Sequence, residues 1–480
     1  MKKLRKKACI FIFSEYKGLY ISFVKILEEK YNYDVTIICK DKYVKKIVTK
    51  ILGDRDQDVI LDEIRTPFDR SNIYKEASKI ESTYGFNISM LIAEDRALGQ
   101  GYLLNVEKVP DIIRASWSHE KKLEYFIESF KKYEQIFDSH YDLLIQKYPN
   151  KVINFIAKKN KIRYFSLLYV KFENRIFWSD HFSVSSSKYQ KYIKSNLKSR
   201  ALLNDEIDEY SIDQAGNKIV KTHSFSYLYA LKRSAYIFWN DTKNWIRGMQ
   251  KRDSYRYLGW LPTPLNSLRN YEFVKKHSVN LATLKDQKII YFPLQMEPEV
   301  SMLFYSPEFS NSLEALSWIS KNIKSDTVII VKEQVKSYAV RSRWFYKQLI
   351  KMPNVYLSHP EQHSWKIIEN SIAVATITGT AGIEAIHHFK PVLSFGKHQI
   401  INNLPTVFYC NSFDRVKEAI DKISNGINED QLKVSSKALI KSQIDVSFDF
   451  PEYNKSAHSS DLDINSAEKA LFQLDKEYSL

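Results

Sequence analysis

A chain of 480 residues is too long for one hydrophobic core, and a prior of roughly 100–200 residues per domain points to two or three domains, with two main ones expected. Apolar residues make up 44% and aromatics 14%, with only 12 glycines and 13 prolines, which excludes a disordered or fibrous protein. Lysine and arginine outnumber acids 72 to 56, a formal charge of +16 that suits an anionic partner: nucleotide phosphates, nucleic acid or a membrane surface. Much of that charge alternates with acids, as in KKLEYFIESFKKYEQ (121–135), the pattern of a solvated surface.

The opening MKKLRKKACIFIF imitates a secretory signal, but Ser14, Glu15 and Lys17 interrupt its apolar core within a few residues, so 8–13 is expected as a first buried strand. An amphipathic stretch through Leu27 and a second apolar run at 35–39 complete a β-α-β pattern. The apolar run 88–93 reads as a further strand, ending at Glu94, Asp95 and Arg96. In 118–137, Leu123, Phe126, Ile127, Phe130, Ile136 and Phe137 fall at helical spacing. Strand, helix and strand then alternate through YDLLIQ, VINFIAKKN and IRYFSLLY (141–169). The Tyr-, Ser-, Lys- and Trp-rich stretch 175–268 reads as bridging helices, at about 187–204 and 224–250.

Pro262 and Pro264 break the pattern, and a domain boundary is expected within 270–287. Strands follow at 288–294, 327–332, 354–358, 372–377 and 391–395, separated by helices at 312–323, 340–350, 362–370 and 381–389. A closing helix at 465–474 has Asn465 as its expected cap, Glu468 three residues on, and Ala467, Ala470, Leu471 and Leu474 along one face. The expected fold class is therefore α/β: two Rossmann-like, doubly wound domains at 1–275 and 276–450, then a tail and closing helix at 451–480. No apolar run approaches the roughly 20 residues of a membrane span. Cys9, Cys39 and Cys410 lie too far apart for a metal or disulfide framework, and no cofactor is expected.

Ligands of doubly wound sheets bind beyond the carboxyl ends of the strands, so residues immediately after each strand are the candidates. After 372–377 come Thr378, Gly379, Thr380, Ala381, Gly382, Ile383 and Glu384. Small residues at a helix start let a phosphate approach the backbone amides, and Glu384 is placed to accept from ribose hydroxyls. The competing interpretation makes Thr378 or Thr380 an ordinary cap and Glu384 a partner of the helix dipole. Lys332, after 327–331, is placed to neutralise a leaving phosphate, or is one surface lysine among many.

Glu297 and Glu299, after the strand at 288–294, are candidate general bases or plain loop acids. His359 and His363 follow 354–358; Pro360 breaks the helix that a metal pair at this spacing needs, which leaves His359 as a base or phosphate contact. In the amino-terminal half, Asp95 is a candidate base and Arg96 a candidate acceptor contact, with Gly99, Gln100 and Gly101 beside them; a salt bridge and a turn would explain the same residues. Neither G-x-G-x-x-G nor G-x-x-x-x-G-K-[ST] occurs, which argues against a dehydrogenase and a P-loop enzyme.

Together YFPLQMEPE (291–299), VIIVKEQ, VYLSHPEQHSWKIIENS and ATITGTAGIEAIHHFKPVLSFG resemble the capsular polysaccharide biosynthesis family of bacterial glycosyltransferases, over about 288–400. The most specific segment is T-x-T-G-T-A-G-x-E-A followed by K-P-V. The chain departs from the family at Lys332-Glu333-Gln334-Val335, where relatives often read K-E-H-P, and at Phe389, where a glycine is usual. The resemblance implies a GT-B fold, two Rossmann-like domains facing across a cleft. By it Lys332, Thr378, Gly379, Thr380, Gly382 and Glu384 belong to a nucleotide-sugar donor site.

The expected function is transfer of a sugar from a nucleotide-sugar donor to a growing, lipid-linked glycan acceptor, in the cytoplasm, at the anionic inner face of the membrane. A nucleotide-sugar 2-epimerase and a non-catalytic subunit of polysaccharide assembly are the rivals. Nucleic acid is not an expected partner, because no basic-aromatic module is clustered in the sequence.

Overall fold

In a computed structural model of the chain, the described residues are 5–53, 58–62, 70–100, 113–199, 225–246, 257–309, 311–450 and 459–480. They form two compact units that are not contiguous in sequence, unlike the expected blocks: Met1–Ile88, Glu120–Tyr192 and Ile440–Leu480 make one, and Ser89–His119 with Ile193–Leu439 the other. Each unit is built on its own seven-stranded sheet, so the fold is α/β with two Rossmann-like domains.

The first sheet contains β1 (Lys6–Ile12), β2 (Tyr33–Cys39), β3 (Val59–Leu61), β4 (Leu143–Ile145), β5 (Arg163–Tyr169), β6 (Arg175–Ser179) and β14 (Phe448–Asp449). Their order is β14-β6-β5-β4-β1-β2-β3. Strands β1 to β5 pair in parallel, while β6 and β14 extend the edge antiparallel. Ala8 to Ile12 are all buried, as a central parallel strand covered on both faces requires. The start of 175–268 is thus the strand β6, not a bridging helix; helices follow at Ser187–Lys198 and Tyr227–Ile246.

The closing helix Ile464–Tyr478 packs on the first unit, against the helix Lys17–Glu29. Ala467, Ala470, Leu471 and Leu474 are fully buried there, and the Trp178 indole N–H donates to the Ala470 carbonyl at 2.7 Å. Its cap is Asp463, whose carboxylate accepts from Ser466 N; Asn465 lies inside the helix, and Glu468 pairs instead with Lys30.

The second sheet contains β7 (Ser278–Val279), β8 (Lys288–Pro293), β9 (Thr327–Lys332), β10 (Val355–Ser358), β11 (Ala373–Thr376), β12 (Val392–Ser394) and β13 (Val407–Tyr409). All its pairings are parallel, in the order β13-β12-β11-β8-β9-β10-β7. The chain winds outward from β8 through β9 to β10, then returns to the other side of β8 and winds through β11, β12 and β13. The direction reverses between β8 and β11, and that switch point is where such a sheet opens a crevice. Pro262 and Pro264 do not end a domain; they open the helix Thr263–His277, with proline in its first turn where no amide donor is missed.

Candidate functional site

At the switch point a side chain from the loop after β8 reaches the turn after β11. Gln295, two residues beyond β8, accepts through Oε1 from the Thr378 amide at 3.1 Å and the Thr378 hydroxyl at 3.2 Å, beyond the end of β11. Thr376 adds a second restraint, its hydroxyl accepting from Gly379 N at 2.9 Å. A Cβ on Gly379 would stand 2.8 Å from both Gln295 Nε2 and Thr376 Oγ1, so the turn needs glycine for space at this position. Gly382 is similarly tight, a Cβ meeting Ile401 Cδ1 at 2.8 Å and Thr376 Cγ2 at 3.0 Å.

The helix after this turn, Ala381–His387, has seven residues. Thr380 sits at its cap position with no side-chain cap bond, and the Thr378 hydroxyl goes to Gln295, so neither threonine acts as the ordinary cap. The Thr380 hydroxyl lies 3.4 Å from Glu384 Oε1. Burial pushes the Glu384 carboxyl above its usual range, only partly offset by that hydroxyl.

Lys332 ends β9, the strand next to β8 on the side away from β11. Its side chain is buried, donating from Nζ to the Pro360 carbonyl at 3.2 Å. Burial lowers its ammonium to about 8, against a smaller opposing pull from Glu333. It is therefore not a surface lysine. His359 precedes Pro360 at the end of β10 and is half-buried, its Nδ1 3.3 Å from Glu361 N. His363 caps the helix Ser364–Glu369, accepting from Trp365 N, so the two histidines do not share a helix face. Thus Lys332, His359, Thr378, Gly379, Thr380, Gly382 and Glu384 all lie at carboxyl ends of strands of the second sheet, on the turn that follows β11, or in the first turn of the helix after it.

Glu297, a candidate base by sequence, lies in the buried frame of the unit. It is fully buried; Oε1 accepts from the Ser312 amide and hydroxyl, and Oε2 lies 3.0 Å from Arg341 Nη1. Burial raises its carboxyl, with Arg341 and Ser312 pulling the other way, and its oxygens are occupied by these partners. Arg341 also pairs with Glu333 at 2.5 Å and donates to the Gln295 carbonyl, while Tyr346 donates to Glu333 at 2.7 Å. This buried network ties the loops after β8 and β9 together. Glu299 stands at the cap position of the helix Val300–Tyr305, half-buried, without capping it.

Asp95 and Arg96 do not end a strand, because 88–94 is the helix Ile88–Glu94. The Asp95 carboxylate folds onto its own turn, accepting from Ala97 N at 2.7 Å and Leu98 N at 3.0 Å. Burial raises its carboxyl, opposed by these amides and by Arg114. Arg96 is half-buried, and Gly99 lies so close to the Ile92 carbonyl that a Cβ would clash at 2.0 Å. Gly101 lies outside the described residues.

Three residues of the site escaped sequence reasoning as individuals: Gln295, Thr376 and Arg341. The first two sat inside recognised motifs, but Arg341 carried no signal among so many basic residues. The first unit has its own reversal between β1 and β4, where Lys147 lies 4.4 Å from the Tyr16 ring centroid and burial lowers its ammonium to about 8. A cavity of about 440 Å³ lies elsewhere in the second unit, lined by Phe225, Tyr229, Arg233, Tyr236, Trp260 and residues around Leu268, none of them a donor-site candidate. Among the described residues no group of three His, Cys, Asp or Glu is placed to hold a metal, and no helix is long and apolar enough to cross a membrane.

No protein of curated function matches the chain. Among solved structures it is similar to the β-Kdo 2,7-transferase KpsC of Thermosulfurimonas dismutans, at 14% identity over 67% of this chain and 81% of that one, with a TM-score of 0.30. A putative UDP-N-acetylglucosamine 2-epimerase from Listeria monocytogenes matches at 10% identity over 99% and 97%, TM-score 0.26. A glycosyltransferase from Rickettsia africae matches at 10% over 99% of both chains, TM-score 0.28. Superpositions this loose do not discriminate transferase from epimerase. The sequence itself is more specific: residues 254–400, which hold β7 to β12 and the whole Gln295–Thr378 crevice, match the family described as capsule polysaccharide biosynthesis protein.

Proposed function

We propose that this protein is a capsule-assembly glycosyltransferase that takes a sugar from a nucleotide-sugar donor and passes it to a lipid-linked glycan at the cytoplasmic face of an anionic membrane. The observation that carries the donor site is the crevice itself: a glycine-threonine turn clasped by Gln295 at the reversal of a doubly wound sheet, with the buried Lys332 at the end of β9. A diphosphate in that crevice meets the turn at Thr378, Gly379, Thr380 and Gly382, and Glu384 takes the ribose hydroxyls. His359 completes the wall beside Lys332.

In the reaction the acceptor hydroxyl oxygen bonds to the anomeric carbon as the bond from that carbon to the diphosphate oxygen breaks. The electron pair leaves on the diphosphate, where the buried Lys332 stabilises the growing charge. The acceptor proton passes to a carboxylate. Glu299 is proposed for that role, with Asp95, whose carboxyl burial raises above its usual range, as the second candidate. Arg96 is proposed to contact the acceptor.

Calorimetric titration with UDP, CMP, CDP and GDP compounds tests the donor site. One nucleotide family is expected to bind, with the affinity lost in Glu384→Ala. No binding by any of them, and no change in Glu384→Ala, would sink the proposal. Turnover of the donor with no glycan present would identify an epimerase instead.

A further inference from the structure

The helix Tyr227–Ile246 carries an apolar face turned away from the helix Thr263–His277 on which it packs. Its buried residue is Ala230, and Ser234, Ile237 and Asp241 continue that half-buried stripe where it packs on the helix Thr263–His277. At about 100° per residue, Leu228, Trp239 and Ile246 fall within about 20° of one line on the opposite side. These three are 64%, 68% and 72% exposed. Leu231 and Phe238, at 57% and 49%, widen the face. Lys232 and Lys243 run along its other border and are exposed as well.

A tryptophan centred on an aliphatic stripe and flanked by lysines is the composition of a helix lying in a membrane interface. The core of a protein–protein interface is instead depleted of lysine. Lys232, Arg233, Asp241 and Lys243 keep the helix from crossing a bilayer, whereas about 30 Å of helix lying flat presents the whole face at once. The chain's excess of 72 basic over 56 acidic residues complements anionic headgroups.

We propose that Tyr227–Ile246 is the membrane-docking element. Leu228, Trp239 and Ile246 enter the headgroup layer, and Lys232 and Lys243 lie against lipid phosphates. The inference deepens the membrane part of the proposed function and rests on that part alone, not on the donor chemistry.

The test is co-sedimentation of the full chain with vesicles of phosphatidylcholine, alone or mixed with phosphatidylglycerol. Binding is expected to the mixed vesicles. Lys232→Glu with Lys243→Glu should weaken it at least tenfold, since each reversal replaces attraction to anionic headgroups with repulsion. Leu228→Ser, Trp239→Ser and Ile246→Ser together should abolish it. Because these side chains are exposed, circular dichroism and nucleotide affinity should stay as in the parent, which separates lost docking from lost folding or a lost donor site. Failure of the parent chain to bind anionic vesicles, or undiminished binding by the triple variant, overturns the proposal. So does light scattering that shows a dimer dissolved by the triple variant, because a second copy would then cover the face.

Discussion

Gln295 holds Thr378 by two hydrogen bonds across the reversal of the second sheet, at 3.1 and 3.2 Å, and the turn that follows β11 takes its position from that contact. Gln295→Ala removes the shared acceptor and leaves the Thr378 amide without it. The expected stability cost is about 1–3 kcal/mol, with nucleotide affinity falling about tenfold as the turn loosens. Gly379→Ala should reproduce the affinity loss from the other side, because its new methyl drives against Gln295 and Thr376 at 2.8 Å. Calorimetry and thermal melting of both variants check this; full nucleotide affinity in Gln295→Ala would show that the clasp does not shape the donor site.

Lys332 provides a pH signature. With its ammonium lowered to about 8 by burial, the free protein loses this charge as pH rises through that value. A bound diphosphate favours the charged form, so binding near this pH takes up a proton, and affinity falls as pH climbs above about 8. Lys332→Met should bind weakly and without that pH dependence. Stability runs the other way. A lysine whose folded value lies below its unfolded 10.5 destabilises the fold at neutral pH, and that penalty fades between about 8 and 10.5. Lys332→Met is therefore expected to melt higher than the parent while binding less, checked by melting curves and by titration in buffers of different ionisation enthalpy.

Arg341 is the centre of the buried frame, its side chain inaccessible and paired with Glu297 and Glu333, themselves 0% and 1% exposed. Arg341→Met strands two carboxylates in the interior, and losing one partner of a buried pair typically costs about 3–5 kcal/mol. The Glu297 carboxyl is already raised by burial and loses its main counterweight in this variant, so it rises further. A raised carboxyl gives stability at low pH that is lost as pH rises through its folded value. The deficit of Arg341→Met should therefore shrink on going from about pH 8 to about pH 5. Equal deficits at both would show that the carboxylates are not the source.

How far the sequence revealed this architecture follows from where each signal resides. Strands β8 to β12 were legible because fully buried parallel strands read as unbroken apolar runs between polar segments. The same property misled at 88–93, where a short apolar run does not distinguish strand from helix, and Ile88–Glu94 is helical. Strands β6 and β14 pair antiparallel at an edge, and β14 has two residues, too few for a pattern. The donor turn was legible as a motif. Its clasp was not, since Gln295 and Thr378 are 83 residues apart and no local rule joins them. Glu297 shows the converse: two acids near a proline looked alike, and only burial separates the ion-paired Glu297 from the half-buried Glu299.

The closing helix offers a comparison between its expected and actual caps. Asp463 accepts from Ser466 N at 3.2 Å, so Asp463→Ala should cost about 1 kcal/mol, whereas Asn465→Ala, inside the first turn, should cost less. Glu468→Ala removes a pair with Lys30 whose partners are 40% and 56% exposed, and solvent screening keeps that loss within ~0–1 kcal/mol. Leu471→Ala opens a cavity in a fully buried position of the first core, with an expected cost of about 2–5 kcal/mol. Melting curves rank the four. Because this helix packs in the first unit and the Gln295–Thr378 crevice belongs to the second, nucleotide affinity should stay at the parent value in each variant that remains folded. A Leu471→Ala protein that melts normally would place the helix outside the first core.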